Sequence, residues 1–230
     1  MSIDGPAAGD ALSWRALGPP DLDAVYALHR QAIGEAIRPE VVKPETRDFF
    51  AGILGGRGRM VGVFADGDGA DRAGAEPELV AYGVLQRVLP AYDDPRPHIG
   101  APADAPVAKL AGASVAPAHR GQKLQRALIA ARVRLAQPGD ILFATSAPGN
   151  PASWINLLSE GFAIRALVPY YGGHLRYLMV RDGTDITPRD TRLMSPADAE
   201  GQVALLKAGW RGVAARQGAE GAAIVYVSGG

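Results

Sequence analysis

The chain has 230 residues, 47% of them apolar, and 24 Lys+Arg against 24 Asp+Glu. It is long enough to bury a full core, and zero net charge supplies no global field to draw nucleic acid. The absence of cysteine excludes disulfides, thiolate metal sites and a cysteine nucleophile.

No apolar run approaches the ~20 residues of a membrane span. The first eleven residues lack both the basic start and the apolar stretch of a signal peptide. A soluble cytoplasmic protein is therefore expected, with residues 1–11 frayed. Leu12 to Leu17 alternates and predicts a strand. Gly18-Pro19-Pro20-Asp21 opens a helix whose inner face is Leu22, Val25, Leu28 and Ala32, which leaves His29 on its surface. Gly34 to Pro44 is a polar loop, Thr46 to Leu54 a short helix, and Arg59 to Ala65 a strand.

Asp66 to Pro77 is a long hairpin loop. Its aspartates Asp66, Asp68 and Asp71 lack the closing glutamate of a calcium loop, so no metal is expected there. Leu79 to Leu89 predicts the next strand of a meander. The proline-rich run Pro90 to Pro106 is expected to be irregular, and loops of that length are often functional.

The stretch Lys109 to Gln137 organises the rest. A small apolar strand, Leu110 to Val115, runs into a basic glycine-containing turn, His119-Arg120-Gly121-Gln122-Lys123. Leu124, Leu128, Ala131 and Leu135 then recur at helical spacing until Pro138-Gly139-Asp140 stops the helix. Free amides and the positive end of a macrodipole meet at such a helix start, where an anion can be held.

Ile141 to Ser146 is a buried strand. Asn150 is a good N-cap with Pro151 behind it, Trp154, Leu157 and Leu158 form an apolar face, and Gly161 ends that helix. Phe162 to Val168 and His174 to Val180 are strands joined by Pro169-Tyr170-Tyr171-Gly172-Gly173. Residues 181 to 196 are a polar connection, Ala197 to Ala208 is helical, and Ala222 to Val227 is one more strand. The core order βααβββαβαββ is α/β, a mixed sheet flanked by helices.

Val115-x-Pro117-x-x-Arg120-Gly121-x-x-Leu124-x-x-x-Leu128 resembles motif A of the GNAT superfamily of N-acetyltransferases. Thirty residues after Arg120, Asn150-x-x-Ser153 to Gly161-Phe162 resembles motif B. The resemblance implies a mostly antiparallel sheet splayed at a cofactor cleft, over residues 1–182. Residues 183–230 are then an extension packing on the same domain or on a partner subunit, in a possible homodimer. It also implies acetyl-CoA as cofactor and direct transfer of its acetyl group to a primary amine of a small molecule or amino acid.

By the same resemblance, amides of Arg120, Gly121, Gln122, Lys123, Leu124 and Gln125 hold the pyrophosphate, with Asn150 and Ser153 also on the cofactor side. Backbone groups of Ala113, Ser114 and Val115 align the pantetheine arm, and the Val115 amide donates to the thioester carbonyl. The usual small residues of motif A are replaced by Lys123 and Gln125. Leu157 stands where many relatives carry a proton-donating tyrosine. Tyr170 or Tyr171 is the substitute donor, and His98 the candidate base acting through one water, with Asp93, Asp94 and His174 as further candidates. His119 is placed beside the phosphates. The departures also keep open a non-catalytic acyl-CoA-binding sensor or scaffold. No dinucleotide or P-loop glycine pattern supports an ordinary nucleotide-binding protein.

Overall fold

The computed structural model describes residues 12–34, 40–66, 77–218 and 221–229. The expectations for residues 1–11, for Glu35 and Arg38, and for the loop carrying Asp68 and Asp71 lie outside the described residues. The chain forms two compact units, one drawn from Met1–Ile37, Pro44–Val88 and Lys109–Ala136, the other from Arg38–Lys43, Leu89–Ala108 and Gln137–Gly230.

In the first unit, β1 (Leu12–Ala16), β2 (Gly58–Ala65), β3 (Glu78–Gln86) and β4 (Val107–Val115, from Lys109 onward) lie in that order, each antiparallel to the next. Helices α1 (Leu22–Ile33) and α4 (Leu124–Arg134) both pack on β3. Tyr82 of β3 meets His29 of α1, and the next residue, Gly83, meets Arg132 of α4. Successive strand residues face opposite sides, so the two helices cover opposite faces. A strand covered on both sides has little use for polar residues, which is why β3 reads Leu-Val-Ala-Tyr-Gly-Val-Leu.

Val25, Phe50, Val63, Val84, Leu124 and Leu128 anchor this core, each such side chain contributing about 1.5–3 kcal/mol. The short helix α2 (Arg47–Gly52) supplies Phe50 and is started by Thr46, whose hydroxyl accepts from the Phe49 amide at 3.1 Å. His29 does not lie on the surface of α1. It is 6% exposed, because a turn of helix after Val25 brings it over Phe50 and Tyr82.

The second unit contains α3 (Arg96–Ile99), β5 (Ile141–Ser146), α5 (Pro151–Ser159), β6 (Ala163–Tyr170) and β7 (His174–Arg181). It continues with β8 (Pro188–Met194), α6 (Ala199–Lys207), β9 (Arg211–Gly218) and β10 (Gly221–Gly229). Its strand order is β5-β7-β6-β9-β10-β8, with antiparallel neighbours throughout. The expected core order holds, with additions. The proline-rich run is not wholly irregular, since Ala91–Asp93 makes a 3-10 turn and α3 follows. The polar connection contains β8, and β9 precedes the last strand. Residues 183–230 share their unit with β5 to β7.

Candidate functional site

The turn between β4 and α4 is built by the backbone. Pro117–His119 forms a 3-10 turn, Gly121 follows at φ +80°, and Lys123 at φ +60°. The amides of Gly121, Gln122, Lys123 and Leu124 have no backbone acceptor among the described residues. Alternating conformations of this kind point successive N–H groups into one concavity, at the positive end of α4. Lys123 sits where the motif has glycine, and its left-handed backbone costs about 1–2 kcal/mol. Gln122 and Lys123 are exposed, Gln125 is half-buried, and Leu124 is tied into the core. The Arg120 side chain turns back to donate to the Ala32 carbonyl at 2.8 Å, closing the last turn of α1. His119 is half-buried at the start of the turn.

Strand β4 presents its end through two devices. Val115 faces Ala81 of β3, and the Ala116 amide donates to the Val80 carbonyl at 2.8 Å. Val115 and Ala81 therefore form a non-hydrogen-bonded pair, so the N–H and C=O of Val115 point away from β3. The same holds for Ala113 opposite Gly83. The second device is a bulge: Gly83 faces Ala113 but Leu85 faces Leu110, so β4 carries one residue more than β3 around Ala111 and Gly112.

Arg132 of α4, 3% exposed, reaches into this bulge. Its Nη1 donates to the carbonyls of Gly112 and Val84 at 3.3 and 3.4 Å, and its Nε to Leu128 at 3.0 Å. Gly83 makes the room, since a Cβ there would stand 2.9 Å from Nε of Arg132. Burial of the guanidinium pulls its pKa down to about 9, which Tyr82 only partly opposes.

Ser114, between the two outward-pointing residues, donates from Oγ to the Tyr82 hydroxyl at 3.1 Å. Tyr82 also meets Nδ1 of His29 at 2.8 Å, and Nε2 of His29 accepts from the Glu45 amide at 3.0 Å. An amide can only donate, so Nε2 is bare and the proton of the neutral ring sits on Nδ1, donating to Tyr82. Burial, assisted by Arg30, lowers the pKa of His29.

The second unit holds a cavity of about 490 Å³ lined by Lys43, Tyr92, His98, Tyr170, Tyr171 and the glycines that follow. It brings together Tyr170, Tyr171 and His98 of the sequence-predicted proton-transfer candidates, but not Asp93, Asp94 or His174. Tyr171 (φ +46°), Gly172 and Gly173 make the tight connection between β6 and β7. The Tyr171 hydroxyl shares a hydrogen bond with the Thr145 hydroxyl at 3.0 Å, and the Lys43 ammonium lies 5.0 Å from its ring centre.

Tyr170 is 6% exposed and its buried hydroxyl has no hydrogen-bond partner among the described residues. Burial, with the charge of Asp93 behind it, raises its pKa well above the ordinary phenol range. The ring of His98, an exposed residue, is centred 6.3 Å from that of Tyr170. Asp93 is buried, Asp94 accepts from the Arg96 amide at 3.0 Å, and His174 faces Tyr170 across the hairpin. Lys43 and Tyr92 come from the two connections Gly34 to Pro44 and Pro90 to Pro106, and the topology brings them to the same cavity.

Asn150 and Ser153 lie at the start of α5, where the Asn150 side chain accepts from the Ser153 amide at 3.2 Å. That oxygen is engaged in capping. Leu157 is buried in the apolar face with Trp154 and Leu158. Among the described residues no cluster of His, Asp and Glu could hold a metal, and no helix is long and apolar enough to cross a membrane.

No protein-family model matches the chain, and no curated protein sequence does. Solved structures of acetyltransferases share its fold. Arabidopsis thaliana NAA60 in complex with acetyl-CoA matches at TM-score 0.54 and 20% identity, over 74% of this chain and 99% of that one. The ribosomal-protein-S5-alanine acetyltransferase of Vibrio fischeri matches at TM-score 0.53 and 12% identity, over 80% and 100%. A GNAT superfamily phosphinothricin acetyltransferase from Sinorhizobium meliloti, in complex with acetyl-CoA, matches at TM-score 0.50 and 15% identity, over 74% and 88%. The fold of this chain is that of the GNAT acetyltransferases.

Proposed function

We propose that this protein is an acetyl-CoA-dependent N-acetyltransferase that works by direct attack of a bound amine. The observation that carries the reading is the continuity of β4 and α4. Outward-pointing backbone at Ala113 and Val115 runs into the amides of Gly121 to Leu124, which have no backbone acceptor among the described residues. In this reading those amides take the pyrophosphate, β4 aligns the pantetheine arm, and the Val115 N–H donates to the thioester oxygen as charge builds there.

The amine nitrogen forms its bond to the thioester carbon, and the carbon–sulfur electrons leave with sulfur. In this reading Tyr170 gives its phenolic proton to that thiolate, and His98 takes the surplus proton from nitrogen through water. A proton from solvent restores the phenol while His98 releases its own. Tyr170 is the better donor of the two tyrosines, because the Tyr171 hydroxyl is already engaged by Thr145. The acceptor is read as a small amine or amino acid. At roughly 30 Å³ per water, the 490 Å³ cavity equals about sixteen waters, room for a residue-sized amine. Similar folds named for alanine residues of ribosomal proteins favour a second acceptor class, the amino terminus of a protein.

The test is thermal-shift titration with acetyl-CoA, followed by thiol release over a panel of small amines, free amino acids and short peptides. Stabilisation with turnover is expected, and the best acceptor in the panel decides between the two classes. Stabilisation without turnover on any amine would instead establish the sensor or scaffold that Lys123, Gln125 and Leu157 leave open. Arg120→Glu should abolish stabilisation by acetyl-CoA, since it sets a like charge beside the phosphates. Undiminished binding by that variant would place the cofactor elsewhere.

A further inference from the structure

At the end of the β6–β7 hairpin opposite Tyr170 and Tyr171 lies a second cleft, of about 320 Å³. Arg165 of β6, Arg181 at the end of β7 and Arg211 at the start of β9 line it, facing Asp182 and Asp185 of the following connector. Asp182 is committed: it pairs with Arg165 at 2.5 Å and accepts from the Thr184 amide at 3.1 Å. Arg211 is held only by the carbonyls of Gly209 and Trp210, each at 3.3 Å.

Neither Arg181 nor Arg211 pairs with a carboxylate among the described residues, and Asp185 is exposed and likewise unpaired. The Arg211 guanidinium is half-buried. Burial and the neighbouring charge of Arg165 lower its pKa, and Asp182 only partly offsets them. The partly desolvated Arg211, pressed by Arg165, is relieved by an anion set beside it, with the exposed Arg181 also lining the cleft.

We propose that this cleft binds a phosphoryl oxyanion, as free phosphate or as the head of a small phosphomonoester. Each guanidinium presents a fork of N–H donors, and such forks match phosphate oxygens two at a time. Asp185 also lines the cleft and opposes any anion there, so the two guanidiniums must outweigh it. At ~30 Å³ per water the cleft equals about ten waters, which leaves space beyond the phosphoryl group for an organic part.

The experiment is calorimetric and thermal-shift titration of the full chain with inorganic phosphate, in chloride buffer of matched ionic strength. A saturable shift is expected, weakened at least tenfold in Arg181→Ala/Arg211→Ala and retained in Arg120→Glu. Asp185→Asn, which removes the opposing charge and leaves the arginines in place, should tighten binding. A second arm with glycerol 3-phosphate distinguishes the sources: tighter binding than phosphate assigns an ester, weaker binding the free ion. No shift in the parent overturns the proposal. So does retention in the double variant with loss in Arg120→Glu, which puts the anion at the start of α4, and so does unchanged or weaker binding by Asp185→Asn.

Discussion

Arg132 and Gly83 are shaped to each other: the glycine leaves room for the arginine to cross from α4 to the bulge of β4. Truncating Arg132 strands the carbonyls of Gly112 and Val84 in a buried place. Arg132→Ala should therefore cost roughly 2–4 kcal/mol of stability, from unmet acceptors and a new void. Gly83→Ala, whose Cβ would stand 2.9 Å from Arg132 Nε, should cost about 1–3 kcal/mol by overpacking. Urea unfolding of both variants checks this. A neutral result for either means that α4 does not hold the bulge.

Lys123 carries a backbone conformation that glycine adopts freely. Lys123→Gly should raise stability by about 1 kcal/mol, the left-handed strain being removed. Binding of acetyl-CoA should be kept or tightened, because the ammonium at this position is exposed. A strong loss of binding in calorimetry would instead make the ammonium a phosphate ligand.

His29 ties stability to pH. Its folded pKa lies below the unfolded value of 6.5, so in the interval between the two the unfolded chain binds more protons. Stability is full above about pH 6.5 and falls as pH drops through that interval. Charging the ring would also set a proton on Nε2 against the Glu45 amide. Chemical denaturation from pH 8 to pH 5 should show a decline that His29→Gln flattens. An equal slope in both proteins would assign the decline to other groups.

Tyr170 separates catalysis from packing. Its hydroxyl is buried without a partner, so Tyr170→Phe should leave stability unchanged or raise it by up to about 1 kcal/mol. If the phenol protonates the leaving thiolate, turnover should fall roughly 10²-fold. Loss of turnover with the melting temperature intact is the expected pair. Full turnover removes Tyr170 from the mechanism.

The parts of the fold legible in the sequence were those with a local cause. The strand before Pro117, the helix from Leu124 and the Asn150–Pro151 cap all follow from spacing and capping chemistry, and the chain order of the core elements comes with them. Arg132 escaped because a charge on an apolar face reads as an interruption of the pattern, although it lies one helical turn beyond Leu128. His29 escaped for the same reason, being one turn beyond Val25. β8 escaped because Pro-Arg-Asp-Thr-Arg-Leu-Met is polar and almost wholly exposed, held in place by backbone pairing with β10. The 490 Å³ cavity was half legible: its tyrosines and His98 stood out as chemistry, whereas the approach of Lys43 to them needed the topology.

The left-handed residues before α4 also bear on timing. Gly121 and Lys123 take their unusual angles as part of the fold itself, so the strain of forming that turn is borne during folding. In the proposed reading, an incoming diphosphate would then meet donors already in place, with little ordering of the chain left to oppose its capture.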